Sequence, residues 1–316
     1  MKILFIDTVH PFLNDALAND GHHCVAAHEF SLPAIIEQLK DADGIVIRSR
    51  ILIDKNILDH APQLKFIARA GAGMESIDTE YAASKGIACM NSPEGNRNAV
   101  GEHSLGMLLS LFNNLNRADQ QVRHGKWIRE GNRGHELEGK TVGIIGYGNM
   151  GNAFASKLKG FECKVLAYDK YKSGFGNEFV KEATLAELFE SCDVVSLHVP
   201  LTNETNYLVN SQFISHFRKP FWLINTARGK CVSIADLVAN LKSGKILGAC
   251  LDVYEYEDTS FEKFSIESAG LSSNPDWQYL TSAENVILTP HIAGWTFESH
   301  QKISEVLYSK IKNVIL

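Results

Sequence analysis

Thr141-Val142-Gly143-Ile144-Ile145-Gly146-Tyr147-Gly148-Asn149-Met150-Gly151 joins an apolar strand to the glycine pattern G-x-G-x-x-G. A helix-like run over 152–161 follows. A second apolar run, Cys163-Lys164-Val165-Leu166-Ala167-Tyr168, then ends in Asp169. The bare pattern arises often by chance, but strand, glycines, helix, strand and terminal acid in succession do not. The glycines permit a tight turn, close approach of backbone to a pyrophosphate, and close packing of helix on strand. The helix N-terminus offers unpaired N–H groups and a positive dipole end to the phosphates. Asp169 lies 18 residues beyond Gly151, about where an acid accepts hydrogen bonds from the adenosine ribose and repels a 2′-phosphate. The stretch predicts a dinucleotide site that prefers NAD to NADP, with nearby Lys170 and Lys172 softening the preference.

The rest of the composition fits that reading. A chain of 316 residues is long enough for about two domains with substantial cores. With 45% hydrophobic and 22% charged residues it has the balance of a soluble globular protein. A net charge of −6 argues against a non-specific nucleic-acid surface. No apolar run approaches the roughly 20 residues that span a bilayer, and the first seven residues read as a strand rather than a signal segment. The six cysteines (Cys24, Cys89, Cys163, Cys192, Cys231 and Cys250) include no Cys-x-x-Cys pair. Buried thiols in a reducing cytoplasm are expected, with neither disulfides nor a metal. His22-His23 lacks ligand spacing and reads as surface.

Working outward, strand-like runs at 2–6, 22–26, 44–48, 65–69 and 87–90 alternate with helical runs at 12–19, 32–40 and 79–85. A second alternating series starts at Thr141 and continues through 193–198, 221–226, 248–253 and 285–288. Alternation of this kind predicts parallel sheets covered on both faces. Between the two series, Val100, Leu105, Leu108, Leu109, Phe112 and Leu115 follow helical spacing and predict one helix over 98–126, capped by Asn98. A last helix is expected over 296–315, with Ile303, Val306, Leu307, Ile311 and Val314 on one side. Periodicity alone leaves open whether these two helices tie the domains together or belong wholly to the second.

Nicotinamide chemistry is hydride transfer, which asks for an acid/base, a cation for a carboxylate or carbonyl, and exclusion of water. Asn225-Thr226-Ala227-Arg228-Gly229 follows an apolar strand, so Arg228 stands at a strand's carboxyl end, where ligands bind in open α/β sheets. Its guanidinium is a planar fork suited to a carboxylate. Thr289-Pro290-His291-Ile292-Ala293-Gly294 closes another strand with a histidine able to exchange protons near neutrality. A carboxylate beside that ring would orient it, and Asp252, Glu255, Glu257 and Asp258 are all candidates by position.

At this point the chain resembles the D-isomer-specific 2-hydroxyacid dehydrogenases over essentially its whole length, and among them the D-3-phosphoglycerate dehydrogenase branch. The residues that carry the resemblance are Gly146 to Gly151, His198-Val199-Pro200-Leu201-Thr202, Asn225 to Gly229, Leu251-Asp252-Val253-Tyr254-Glu255-Tyr256-Glu257 and Pro290-His291-Ile292-Ala293-Gly294. The resemblance implies two doubly wound parallel-sheet α/β domains. Residues 1–98 and 295–316 would form a flavodoxin-like substrate domain, and 99–294 a Rossmann NAD-binding domain. It implies that Arg228 binds the substrate carboxylate and carbonyl, and that Glu257 pairs with His291, the general acid/base. Cofactor contacts fall on Tyr147, Asn149, Met150, Asp169, Val199, Pro200, Thr226, Ala227, Asp252 and Gly294 as well as the glycines Gly146, Gly148 and Gly151. Asp252 would hold the nicotinamide amide.

In the first domain, Arg69-Ala70-Gly71-Ala72-Gly73 follows a strand, and its small residues let backbone N–H groups surround an anion. The family uses this loop for the substrate carboxylate. Ile47-Arg48-Ser49-Arg50 ends the preceding strand and adds two guanidinium groups. Arg48 and Arg69 match positions near the substrate phosphate in the phosphoglycerate branch, and arginine clusters suit phosphate geometry.

Three departures limit the transfer. Glu257 is followed by Asp258 rather than by a nearby proline. The stretch 258–284 is longer than usual, and Ser260, Ser265, Ser268, Ser272, Ser273 and Asn274 make it read as a loop that covers a cleft or extends a dimer surface. Trp295 replaces a small residue and would narrow the substrate site. The chain ends at Leu316, so a C-terminal regulatory domain and serine feedback are not expected. The leading expectation is NAD-linked oxidation of D-3-phosphoglycerate in serine biosynthesis. Reduction of glyoxylate, hydroxypyruvate or another 2-keto acid is the enzymatic alternative, and an NAD-sensing corepressor the remote one. Domain closure over the cofactor is expected, with hinges near Asn98 and Ala293-Gly294. A cytoplasmic homodimer or larger oligomer, binding neither membrane nor nucleic acid, completes the reading.

Overall fold

The computed structural model describes residues 1–257, 266 and 269–315. The chain divides into two compact units. The described part of one is residues 1–97 and 295–315, and that of the other 98–257, 266 and 269–294.

The first unit holds a five-stranded sheet of β1 (Lys2–Phe5), β2 (His23–Ala26), β3 (Gly44–Ile47), β4 (Phe66–Arg69) and β5 (Ala88–Met90), all parallel, in the order β2-β1-β3-β4-β5. That is the flavodoxin-like order of a doubly wound sheet. Successive residues of a strand point to opposite faces. Leu4, Ile45, Ile47 and Ile67 therefore pack with Ile35 and Leu39 on one face, and Ile3, Phe5, Val46 and Phe66 with Leu13 and Leu17 on the other. The second face is also covered by Ile303, Leu307 and Ile311 of the helix Phe297–Ile315. Val314, expected on the same stripe, is exposed instead.

The second unit holds β6 (Thr141–Ile145), β7 (Lys164–Tyr168), β8 (Val180–Glu182), β9 (Val194–Leu197), β10 (Phe221–Asn225), β11 (Ile246–Leu251) and β12 (Val286–Leu288). Their order is β12-β11-β10-β9-β6-β7-β8, again all parallel. Chain order reverses at β6, so the glycine turn that follows it stands at the switch point where such sheets bind dinucleotides. Because every strand runs the same way, the loops after β6, β7, β9, β10, β11 and β12 all leave from one edge. β6, β9 and β10 are buried along their whole length, as expected of strands covered on both faces.

Several expected boundaries move. The single helix over 98–126 is two, Pro93–Phe112 and Leu115–Arg123. Pro93 begins the first because its fixed φ suits an opening turn, so Asn98 lies inside the helix rather than capping it. Asn114 breaks the run with φ 53°, and Leu115 is left exposed. The helix after β6 spans Asn149–Lys157 and so begins within the glycine motif, not after it. Within the stretch read as a loop, Asn274 caps a helix Pro275–Ser282, accepting the N–H groups of Asp276 and Trp277. Trp277 is buried there and meets the Tyr254 ring edge-on at 5.1 Å. Asp258, Ser260, Ser265 and Ser268 lie outside the described residues. Among the described residues the six cysteines form no disulfide, and four of them are buried. No described helix is long and apolar enough to cross a membrane.

Candidate functional site

The turn after β6 is built by exclusion. A side chain on Gly146 would meet the carbonyl of His198 at 2.6 Å, and one on Gly151 would strike the carbonyl oxygen of Gly146. Around Gly148 there is open space. The outer glycines thus let turn, helix and β9 close on one another, while the middle one leaves the turn's outer face clear. Gly148 is the N-cap of Asn149–Lys157, and no side chain caps that helix. Its first N–H groups therefore remain available to an anion. Asp169, at the end of β7, accepts the N–H of Tyr147 at 2.8 Å through Oδ2. Its Oδ1 accepts those of Tyr171 and Lys172 at 2.9 and 3.0 Å. The acid is tied to the glycine turn before any ligand arrives. Tyr147 is buried, stacked on Phe175 at 4.5 Å, so its side chain supports the turn from beneath. Val199 is half-buried and Pro200 exposed on the loop after β9. These features fit a bound dinucleotide.

Beside the turn, His198 is buried with Nε2 2.8 Å from Ser196 Oγ. Among the described residues its Nδ1 has no hydrogen-bond partner. Burial pushes its pKa down to about 3, so the ring is neutral.

At the other end of the sheet edge, the loops after β11 and β12 assemble a histidine–carboxylate pair. His291 Nδ1 lies 2.7 Å from Glu257 Oε2, while Glu257 Oε1 accepts the Tyr254 N–H at 2.6 Å. Of the four acids left open by position, Glu257 stands beside the ring; Glu255 is half-buried, and burial raises its pKa. His291 has φ 55°, a left-handed backbone that a side chain ordinarily avoids. It is held there from both sides. Its N–H donates to the Asp252 carbonyl at 2.8 Å, and the Asp252 carboxylate accepts the N–H groups of Ile292 and Ala293 at 2.9 and 2.8 Å. Thr289 Oγ1 donates to the same carboxylate at 2.5 Å. Asp252 is 1% exposed, and these contacts make it an anchor of the histidine loop. Tyr254 Oη adds a tie between strands, donating to the carbonyls of Leu251 and Thr289.

Arg228 stands on the loop after β10. The buried amide of Asn225 shapes that loop, accepting the Ala227 N–H at 3.1 Å and donating to the Arg228 carbonyl at 3.0 Å. Arg228 Nη1 donates to the Ala227 carbonyl at 2.6 Å. A side chain on Gly229 would run into the Tyr254 carbonyl. Glycine at that position lets the arginine's loop lie directly against the loop that carries Glu257. Thr226 Oγ1 lies 3.0 Å from Ser104 Oγ. Gly294 ends the histidine loop. Arg228, Glu257 and His291 thus follow three adjacent strands at one sheet edge.

In the first unit, the 69–73 loop follows β4. Gly71 adopts φ 148°, and a side chain there would occupy the place of the Arg69 guanidinium. The Gly71 N–H donates to Ser92 Oγ at 3.1 Å, the Ser92 N–H returns a bond to the Gly71 carbonyl at 2.8 Å, and Asn91 Nδ2 donates to the Ala72 carbonyl at 2.5 Å. Ala72 and Gly73 are half-buried. The two arginines after β3 divide their tasks. Arg50 donates to the carbonyls of Ile6, Phe30 and Ala27 at 2.9, 3.0 and 2.8 Å, so it pins the fold and adds no guanidinium to a substrate site. Arg48 lies over the Trp295 ring, 4.4 Å from its centroid. Asn91, Ser92, Ser104, Thr289 and Tyr254 were missed from sequence; only Thr289, inside the Thr-Pro-His run, and Tyr254, inside the Leu251–Glu257 run, carried a local signal.

Residues 105–293 match the family described as D-isomer specific 2-hydroxyacid dehydrogenase, NAD binding domain. The chain is 33% identical over 316 residues, 99% of its length, to a D-3-phosphoglycerate dehydrogenase of Archaeoglobus fulgidus. It spans 57% of that relative's length, and 57% of another of the same name from Methanocaldococcus jannaschii. A glyoxylate reductase of Pyrococcus furiosus is 36% identical over 282 residues, covering 86% of this chain and 79% of the relative. Among solved structures, a D-lactate dehydrogenase of Aquifex aeolicus complexed with NAD and lactic acid superposes with a TM-score of 0.82 at 30% identity, covering 100% of this chain and 95% of that one. With a family match over residues 105–293 and a relative 36% identical along most of both chains, the protein belongs to the D-isomer specific 2-hydroxyacid dehydrogenases.

Proposed function

We propose that this chain is an NAD-dependent D-2-hydroxyacid dehydrogenase that oxidises D-3-phosphoglycerate to 3-phosphohydroxypyruvate in serine biosynthesis. The observation that carries the reaction type is the Glu257–His291 pair at 2.7 Å, at the same sheet edge as the glycine turn. Bound NAD supplies the hydride acceptor. His291 takes the hydroxyl proton as the carbonyl forms, and Glu257 fixes the ring for that transfer. Arg228 offers its fork to the carboxylate and the developing carbonyl. Residues 1–98 and 295–316 serve as the substrate domain and 99–294 as the NAD domain.

The phosphate reading rests on Arg48 and Arg69 at the ends of β3 and β4, with the backbone amides of Ala72 and Gly73 as the carboxylate grip, the Gly71 N–H being taken by Ser92 Oγ. Reduction of glyoxylate or hydroxypyruvate is the second reading, favoured by the 36% identity to a glyoxylate reductase and by the large Trp295 ring against Arg48. The exposed apolar side chains Leu115, Val122, Trp127 and Ile128 support a homodimer or larger assembly.

A purified-protein assay with both dinucleotides and a panel of acids tests the proposal. NAD reduction with D-3-phosphoglycerate is expected. Turnover of glyoxylate or hydroxypyruvate with none of phosphoglycerate replaces the substrate assignment. No turnover of any hydroxy or keto acid overturns the enzymatic reading and favours a cofactor-sensing role without chemistry.

A further inference from the structure

The sheet order β9-β6-β7 sets the loops after β7 and β9 on opposite sides of the glycine turn. Strands two places apart in a sheet lie about 10 Å from each other, yet side chains from these two loops meet. Lys170 Nζ is 2.6 Å from Glu204 Oε1, and Tyr171 Oη donates to Glu204 Oε2 at 2.8 Å. One carboxylate thus receives two partners from the far side of the turn.

Both ends of the bridge stand on stapled backbone. Lys170 and Tyr171 follow Asp169, whose Oδ1 holds the Tyr171 and Lys172 N–H groups. Glu204 sits in a turn where Thr205 Oγ1 donates to the Pro200 carbonyl at 2.6 Å and accepts the Thr202 N–H at 2.8 Å. An exposed ion pair of this kind contributes little to stability. Its consequence lies in what it spans, which is the adenosine end of the crevice, next to the acid placed for the ribose.

We propose that Glu204, with Lys170 and Tyr171, forms a clasp across the adenosine end of the dinucleotide crevice that retains NAD and sets the preference against a 2′-phosphate. This rests on the NAD reading above. Lys170 directly follows Asp169 and is able to pair with a 2′-phosphate as a mobile point charge, while Lys172 Nζ is held at the Tyr147 carbonyl, 3.4 Å away. Glu204 neutralises it and holds it across the turn. Asp169 alone repels the phosphate, and Glu204 withdraws the cation that would have attracted it.

The test uses the full chain and NADH or NADPH fluorescence, with equilibrium titration and stopped-flow displacement, so no turnover is needed. Glu204→Gln keeps the shape and removes the charge. NADH should leave about 2- to 5-fold faster, and the NADPH-to-NADH affinity ratio should rise about 2- to 5-fold, the range for an exposed ion pair. Adding Lys170→Met to Glu204→Gln should return the ratio toward the parent while NADH release stays fast. Parental release rates and an unchanged ratio in Glu204→Gln, with parental binding intact, overturn the clasp and leave the NAD reading standing. A ratio that stays raised in the double variant overturns the role given to Lys170. If the parent chain binds neither dinucleotide, both the clasp and the NAD reading fall.

Discussion

Asp252 holds His291 in place from beneath. The carboxylate receives Thr289 Oγ1 and the N–H groups of Ile292 and Ala293, and the carbonyl receives the His291 N–H. A non-glycine residue at φ 55° costs on the order of 1 kcal/mol or more and persists only when its surroundings over-determine it. Asp252→Asn keeps one oxygen but turns an NH2 toward a backbone N–H. The variant should lose about 1–3 kcal/mol in urea unfolding, the range for a buried donor left unmatched, and most of its turnover. A loss under about 0.5 kcal/mol with full turnover would remove Asp252 from this role.

Glu257 has a different task. It accepts the Tyr254 N–H on one oxygen and faces His291 Nδ1 on the other, so the backbone of its own turn aims it. Glu257→Gln retains the volume and one acceptor but presents an amide group to one of those two partners. General acid–base groups contribute roughly 10²- to 10⁴-fold, and the variant should lose about 10- to 100-fold in kcat as part of that range. NADH affinity should stay unchanged by fluorescence titration. A parallel loss of NADH binding would mean the loop had moved, not that the proton step had slowed.

The legible part of this molecule was whatever repeats or announces itself locally. Alternating strands, the glycine pattern and Thr-Pro-His are contiguous signals, and they located the central strands and the loops bearing Arg228 and His291. Illegible parts depend on residues distant in sequence. The Asn225 amide shaping the Arg228 loop, Tyr254 tying β11 to β12, and Ser92 clamping Gly71 are single polar side chains in apolar or polar runs that read as core or surface. Arg48 and Arg50 look alike in sequence. Only the carbonyls of Ile6, Ala27 and Phe30, which Arg50 meets from two separate loops, tell them apart. Asn114 hid a helix break because an asparagine at φ 53° leaves the apolar spacing around it intact.

His198 makes stability depend on acidity with a definite sign. Burial lowers its folded pKa to about 3, below the roughly 6.5 of an unfolded histidine. Above about pH 6.5 both states are neutral and the contribution is fully present. Below it the unfolded chain binds a proton that the folded chain refuses, so stability falls by about 1.4 kcal/mol per pH unit until the pH nears the folded value. His198→Phe removes this linkage while keeping a ring against Phe154. Urea unfolding from pH 8 to 4.5 should show a pH slope shallower by about one proton in the variant, whatever its stability at pH 8. Identical slopes would mean the ring is charged in the fold.

Trp295 offers the sharpest handle on substrate choice within the first unit. Its indole is 59% exposed and lies 4.4 Å from the Arg48 guanidinium, close enough for a cation–π contact. Such contacts contribute about 0.5–1 kcal/mol at exposed sites, or about 2- to 5-fold in an affinity that depends on the aimed guanidinium. If Arg48 grips a phosphate, Trp295→Leu should raise KM for D-3-phosphoglycerate about 2- to 5-fold with kcat nearly unchanged. Unphosphorylated hydroxypyruvate should be handled as before. If the ring instead fills space that a small keto acid needs closed, the same variant should raise KM for glyoxylate or hydroxypyruvate and leave phosphoglycerate untouched. The two patterns are opposite in sign across one substrate pair, so measuring KM and kcat for both acids separates a ring that aims an arginine from a ring that shapes a wall.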